Sequence, residues 1–372
     1  MRVCMVTPHL PPALAANALL PTVLARELTS MEWQSVFLAH PAPHAPQAEG
    51  VTYVRKRGMG ALSRTPVGAV TAAARIALAA ASACRSADLV HLHGNGLIIE
   101  VAAWMAAVRA RPCVITLYGT DVWHFDATRH ARFARVVKSA AQRVFYSCAL
   151  RDRARELGLA DGSAAVIYAP VDHAFSLPSS DEREKARKEL SVDGPLLLTV
   201  KRLHPVGGHD LLLRAMAELV RLVPNVRLII AGDGELRGEL EQLSVSLGLG
   251  SRVRFVGQVD NRDLPRYYAA ADLFVLPSRI ESWGTVMLEA LACGTRVVAT
   301  DTAGAREAQG YFDRDITLET RATPDALASA IAGALREDRR AGDDTLGRIE
   351  SMFRPGDCAR SYRAVYEAAI HR

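Results

Sequence analysis

Short apolar runs recur along the chain, each ended by glycine, proline or a polar cluster, and helix-period segments lie between them. Runs of this length bounded by turn residues read as buried strands. They cover Arg2 to Thr7, Val36 to Ala39, Ala87 to His93, Cys113 to Leu117, Arg143 to Tyr146 and Ala165 to Ile167 in the first half. In the second half they cover Leu196 to Val200, Val226 to Ala231, Val253 to Val256, Leu273 to Leu276 and Arg296 to Thr300. Helices are expected from about Leu20 to Met31, Pro66 to Cys84, His209 to Val220, Leu264 to Ala271, Thr285 to Cys293 and Tyr362 to Ile370. Pro41, Pro43 and Pro46 make the stretch after the second strand a loop. Strands alternating with helices predict an α/β chain with parallel sheets.

The most informative stretch is 273 to 307, a strand–loop–helix–strand unit. Gly284 precedes the helix and Gly294 stands where a glycine ends one. A helix N-terminus offers unpaired N–H groups and the positive end of a dipole, which suits an anion such as a diphosphate. Gly284 lets the backbone approach closely. Glu281 before the helix and Glu289 inside it are placed to accept hydrogen bonds from sugar and ribose hydroxyls. The competing reading is a buried unit whose glutamates face solvent.

Composition narrows the class. At 372 residues the chain fits two domains, and 49% apolar with 23% charged residues is globular. The formal charge is only +5, without blocks of Lys/Arg interleaved with aromatics, so no nucleic-acid partner is expected. Six single cysteines with no C-x-x-C give no zinc spacing and suit a reducing, cytoplasmic location. No signal peptide or membrane-spanning run is expected. The Ala-rich segment after Arg55-Lys56-Arg57, with Arg64, Arg75 and Arg85 in or beside it, reads either as a packed surface helix or as a peripheral contact with a membrane. The opening β-α-β has no G-x-G-x-x-G, which disfavours a dinucleotide cofactor, and no cofactor is expected. Asp313-Arg314-Asp315 is a D-x-D in a polar loop, and no metal site is expected from it.

The 273–307 stretch resembles the E-x7-E signature of the retaining, GT-B-fold family 4 glycosyltransferases. It carries Glu281-Ser282-Trp283-Gly284, then Glu289-Ala290-Leu291-Ala292-Cys293-Gly294, then Ala303-Gly304 and Glu307. Asp88-Leu89-Val90-His91-Leu92-His93, Tyr118-Gly119-Thr120-Asp121, Lys201-Arg202-Leu203 and Gly232-Asp233-Gly234 extend the resemblance over nearly the whole chain. It implies two Rossmann-like domains facing each other across a cleft. The implied division is 1–176 for an acceptor-side domain, 177–355 for a nucleotide-sugar donor domain, and 356–372 for a helix returning to the first domain. A linker is expected at Ser176 to Ser180.

The implied activity is sugar transfer, with retention and without metal, from a nucleoside-diphosphate-sugar to a hydroxyl acceptor. A UDP- or GDP-sugar donor and a hydroxylated sugar or lipid-linked acceptor are the implied partners, in surface polysaccharide, glycolipid or glycoconjugate synthesis at the cytoplasmic side of a membrane. Arg202 matches the family's diphosphate-binding Arg, a fork suited to phosphate oxygens. Glu281, Tyr118 and Asp121 complete the implied catalytic set; Asp121 is read equally as a cap for a helix beginning near Trp123. Gly232, Gly234, Gln258, Val259, Ser282, Trp283, Gly284, Thr285 and Glu289 are the implied donor-binding residues, and His93 and Pro12 lie on the acceptor side.

Three departures stand out. Tyr118 replaces a histidine, Gly207 stands where a lysine is expected, and the loop from Pro12 to Leu20 lacks a Gly-Gly pair. Lys201, if the strand continues through it, points to the other face from Arg202, so it is not assumed to replace the missing lysine. These departures keep two other readings in view: a non-catalytic GT-B protein that binds a nucleotide-sugar, and a GT-B nucleotide-sugar epimerase.

Overall fold

The computed structural model describes residues 1–11, 16–41, 50–55, 66–162 and 164–371. Pro12, Pro43, Pro46, Lys56, Arg57 and Arg64 lie outside them. The chain forms two compact units, Met1–Pro170 with Pro355–Arg372, and Val171–Arg354.

The first unit runs β1 (Arg2–Thr7), α1 (Ala16–Thr29), β2 (Gln34–Ala39), β3 (Val51–Tyr53), α2 (Pro66–Ala83), β4 (Leu89–His93), α3 (Leu97–Val108), β5 (Cys113–Leu117), α4 (Thr120–Trp123), α5 (Ala131–Ser139), β6 (Gln142–Phe145), α6 (Cys148–Glu156) and β7 (Ala165–Val166). Its strands pair in parallel in the order β3-β2-β1-β4-β5-β6-β7. The second unit runs α7 (Ser180–Glu189), β8 (Leu196–Val200), α8 (His209–Leu222), β9 (Arg227–Ala231), α9 (Arg237–Ser246), β10 (Val253–Gly257), α10 (Leu264–Ala270), β11 (Leu273–Leu276), α11 (Thr285–Ala292), β12 (Arg296–Thr300), α12 (Ala303–Gln309), β13 (Ile316–Glu319), α13 (Pro324–Arg336) and α14 (Asp343–Met352). Its order is β10-β9-β8-β11-β12-β13, again parallel. The chain then returns to the first unit as α15 (Pro355–Ile370).

Both orders are doubly wound. Strand succession reverses between β1 and β4 and between β8 and β11, and such switch points open a crevice at the carboxyl ends of the strands. The central strands β4, β11 and β12 are buried throughout, as strands covered by helices on both faces must be. In the second unit the amphipathic helices α8 and α13 pack on each other and share a core with β8, β9 and β11.

Several expectations shift. α1 starts at Ala16 rather than Leu20, with Pro21 inside it. α15 starts at Pro355, seven residues before Tyr362, because a proline suits the first helical turn. Ser179 and Ser180 open α7: the Ser179 hydroxyl accepts from Glu182 N, and the Glu182 carboxylate accepts from Ser179 N at 2.8 Å.

Candidate functional site

The second unit's switch point is built from three loops. The chain leaving β8 passes Lys201 and Arg202 and forms a tight turn at 205–207 before α8. The loop after β9 holds Gly232 and Gly234. The loop after β11 runs from Pro277 to Gly284 and enters α11.

These loops fix one another. Arg279 N donates to Val206 O at 2.8 Å, and its guanidinium pairs with Asp210 at 2.7 Å. A side-chain carbon at Gly232 would lie 2.0 Å from Lys201 O, and one at Gly234 would lie 2.3 Å from Leu203 O, so only glycine lets the two chains pass. On the other side, Gly304 N donates to Glu281 O at 3.0 Å, which anchors the backbone of Glu281 against the start of α12.

Gly284 is the N-cap of α11 with φ 76 and ψ 57, a left-handed conformation that glycine adopts without steric cost. No side chain among the described residues caps the helix, so its N-terminal polarity is turned to the loop. Thr285 is its first residue. Trp283 is buried and stacked on Phe353, with ring centroids 5.7 Å apart and planes at 26°. What Trp283 presents to the loop is therefore its backbone. Ser282 N donates to Glu281 Oε1 at 3.1 Å.

The Glu281 carboxylate pairs with the Lys201 ammonium. β8 ends at Val200, so the alternation of a strand does not extend to Lys201, and Lys201 and Arg202 turn to different carboxylates, Glu281 and Glu235. Arg202 is exposed and meets Glu235 at 3.3 Å.

One turn into α11, Glu289 accepts from the Tyr268 hydroxyl at 2.9 Å. Burial raises the Glu289 carboxyl to about 7, against the opposing Tyr268 hydrogen bond, and Asp172 adds to the rise. Gln258 is exposed just after β10, and Val259 beside it is half-buried. His209 opens α8 with both ring nitrogens buried and, among the described residues, without hydrogen-bond partners. Burial first, and then the Lys201 charge, lower its pKa to about 4. Nothing in the sequence singles out a histidine after Gly207-Gly208.

The first unit gathers a second group at the ends of β4 and β5. His93 is fully buried. Its Nδ1 shares a hydrogen bond with the Tyr118 hydroxyl at 2.6 Å, and its Nε2 has no partner among the described residues. Burial lowers His93 to about 3 and pushes the Tyr118 phenol well above its ordinary value, so both are neutral near pH 7. Asp121 lies inside the four-residue α4, whose N-cap is Gly119. It is thus not the cap of a helix starting near Trp123. Its carboxylate accepts from Tyr118 N at 3.3 Å, and burial raises it to about 6. Gly94 separates Asp121 from Asn17: a side-chain carbon there would come 3.4 Å from Asn17 Nδ2 and 3.8 Å from Asp121 Oδ2. Asn17 carries no motif and is found only through this proximity.

Asp315 of the D-x-D is committed to structure. Its carboxylate accepts from Gly342 N at 2.9 Å and Thr345 Oγ1 at 2.7 Å, and it pairs with Arg339.

Two family models match the chain: Glycosyltransferase Family 4 over residues 22–175, and Glycosyl transferases group 1 over residues 180–344. The chain belongs to the family 4 glycosyltransferases. One relative, the GDP-mannose-dependent alpha-(1-6)-phosphatidylinositol monomannoside mannosyltransferase of Mycolicibacterium smegmatis, is 32% identical over 244 residues, 62% of this chain and 63% of that protein. The D-inositol 3-phosphate glycosyltransferase of Frankia alni is 42% identical over 159 residues, 40% of this chain and 39% of that one. The matches thus span less than two thirds of these curated relatives. Anabaena HepE, solved in complex with UDP and glucose, superposes with a TM-score of 0.80 at 22% identity, over 99% of this chain and all of that one. The sucrose-phosphate synthase of Thermosynechococcus elongatus gives 0.80 at 22%, over 98% of both chains. The fold is GT-B, with two Rossmann-like domains.

Proposed function

We propose that this protein transfers a sugar from a nucleoside-diphosphate-sugar to a hydroxyl acceptor, with retention at the anomeric carbon. The observation that carries this reading is the loop at 281–289. It sets one carboxylate, paired with Lys201, before a helix N-terminus that no described side chain caps, and a second carboxylate one turn inside the helix.

In this reading Arg202 and the N–H groups at Gly284 and Thr285 stabilise the negative charge that grows on the departing diphosphate. Glu281 accepts from hydroxyls of the donor sugar, and Glu289 accepts from the ribose. Gly232 and Gly234 border the phosphates, and the segment at Gln258 and Val259 borders the base. The bond from the anomeric carbon to the phosphate oxygen breaks. A bond to the acceptor oxygen forms on the same face, and the acceptor's proton passes to the diphosphate. Asp121, His93 and Asn17 of the first unit bind acceptor hydroxyls, and Tyr118 holds His93 in place. No metal has a role in this scheme. Relatives that act on inositol phosphate and phosphatidylinositol mannoside, together with one solved with UDP, support a UDP- or GDP-sugar donor and a hydroxylated sugar or lipid-linked acceptor.

The same reading places α2 and α3 against an anionic membrane surface. Leu78, Trp104 and Val108 are exposed on these two packed helices, with Arg75, Arg85, Arg109 and Arg111 in or just beyond them. Among the described residues, no helix is long and apolar enough to cross a membrane.

The test is turnover of α-linked UDP- and GDP-sugars with product analysis by NMR. Release of nucleoside diphosphate with an α-linked glycoside is expected. Glu281→Ala is expected to lower kcat/KM by at least about tenfold, the loss of a charge-assisted hydrogen bond. Unchanged turnover in that variant, or a β-linked product, would exclude this assignment.

A further inference from the structure

Arg202 is the cation that the sequence marks for a donor diphosphate, yet it is not the cation closest to Glu281. The Lys201 ammonium is, and both side chains are largely buried, at 19% and 15% exposure. A carboxylate closed by an ammonium in this way has little left to offer a sugar hydroxyl. An ion pair shielded from water is also costly to break unless a new anion replaces the old one.

A second observation lies alongside. His209 is 1% exposed, and neither Nδ1 nor Nε2 has a hydrogen-bond partner among the described residues. Buried polar nitrogens ordinarily find one, so two on a single ring mark a place where a polar group is received. The ring is held close to the turn that precedes α8. A side-chain carbon at Gly207 would stand 2.7 Å from His209 Cε1 and 2.8 Å from Nδ1. Gly207 is therefore the residue that gives the ring its place. The Lys201 charge is felt at His209, which puts ammonium and imidazole in one electrostatic neighbourhood at the carboxyl end of β8. Gly208 packs against the carbonyl of Pro277, so the turn carrying the ring and the loop carrying Glu281 form one wall.

We propose that Lys201 is a transferable cation: it closes Glu281 in the unliganded protein and passes to the donor diphosphate on binding, which opens Glu281 to the sugar, while the His209 ring receives a phosphate oxygen beside it. The proposal rests on the donor reading above. It makes Lys201 and His209 ligand-binding residues that couple phosphate recognition to sugar recognition. A sugar without a diphosphate meets a closed carboxylate.

The experiment is calorimetric titration of the full chain with UDP and GDP, and with UMP and GMP as controls. Wild type, Lys201→Met, Lys201→Arg, His209→Phe and Glu281→Gln are compared, with thermal melting to confirm that each is folded. Lys201→Met is expected to weaken the preferred diphosphate by about tenfold or more, with a smaller loss for the monophosphate. Lys201→Arg restores most of the affinity, and His209→Phe weakens it several-fold. Glu281→Gln is expected to tighten the diphosphate, because Lys201 no longer leaves a charged partner. A merely structural role for the pair predicts that Lys201→Met and Glu281→Gln change affinity in the same direction. That result, or unchanged diphosphate affinity in folded Lys201→Met, overturns the proposal and leaves the donor reading standing. If wild type binds neither diphosphate, the donor reading falls and this inference falls with it.

Discussion

At Glu289 two influences oppose each other. Burial raises the carboxyl to about 7, and the hydrogen bond from Tyr268 holds it from rising further. A ribose hydroxyl donates to the ionised form. The KM for the donor is therefore expected to fall as pH rises through about 7. Tyr268→Phe removes the hydrogen bond but keeps the ring against Phe175 and Phe274, at 5.8 and 5.6 Å between centroids. Its fall in KM is expected at higher pH, with kcat at saturating donor little changed. Donor titrations across pH 6 to 9 check this, and superimposable KM profiles would remove Glu289 from the site. The sequence allowed Glu289 to be placed one turn into a helix, because Gly284 and Gly294 punctuate that helix at both ends. It did not allow Lys201 or His209 to be placed. The Lys201–Glu281 pair joins residues 80 positions apart, which no local pattern reaches. His209 becomes notable only when its nitrogens are seen to be buried without partners.

Among elements, α15 shows how a helix far along the chain is held in the first unit. His91 Nδ1 shares a hydrogen bond with Tyr366 at 2.6 Å, His91 Nε2 with Thr116 at 2.7 Å, and Thr116 with Tyr362 at 3.0 Å. Breaking such a buried polar chain strands a partner, so Tyr366→Phe is expected to cost about 1–3 kcal/mol and to lower Tm. The histidines add a pH dependence. Burial holds His91 well below its ordinary value, and His93 and His209 at about 3 and about 4. The unfolded chain therefore takes up protons first, below about pH 6.5. Their stability is fully present above that pH and is lost as pH falls, each contributing up to about 1.4 kcal/mol per pH unit. Melting between pH 7.5 and 5 is expected to show a fall in Tm that is smaller in His93→Gln. An equal fall would assign it to other groups.

Little in the sequence warned of this network, since alternation marks which residues are buried and not which of them bond. Strands that read as apolar runs between clear turn residues, such as β1, β5, β8, β11 and β12, were legible to the residue. β3 and β13 were not, because threonine and glutamate interrupt the apolar run in VTY and ITLE. α3 was hidden by its nearly continuous apolar composition.

At the scale of the whole molecule, the net charge of +5 is modest, and its distribution matters more than its size. On the first unit α3 packs between α2 and α5. α2 carries Arg75 and no acidic residue, and α5 carries Arg132, Arg135 and Lys138 and no acidic residue. Trp104 is 61% exposed on this face, whereas Trp33 and Trp283 are buried. α3 itself carries Glu100, one turn before Trp104. An exposed indole on a helix packed between two basic ones suits an interface that is apolar on one side and anionic on the other. Vesicles of phosphatidylglycerol are expected to sediment the protein at low salt and to shift its tryptophan emission to the blue. Vesicles of phosphatidylcholine are expected to do neither. Because exposed charges are screened beyond a Debye length of about 10 Å at 0.1 M, added salt should release much of the bound protein. Arg109→Ala with Arg111→Ala should weaken sedimentation without changing diphosphate affinity, since both residues belong to the first unit. Trp104→Phe should keep most of the binding and abolish the emission shift. Protein that stays in solution with anionic vesicles at low salt would exclude the membrane contact, and a shift that persists in Trp104→Phe would exclude this face as its place.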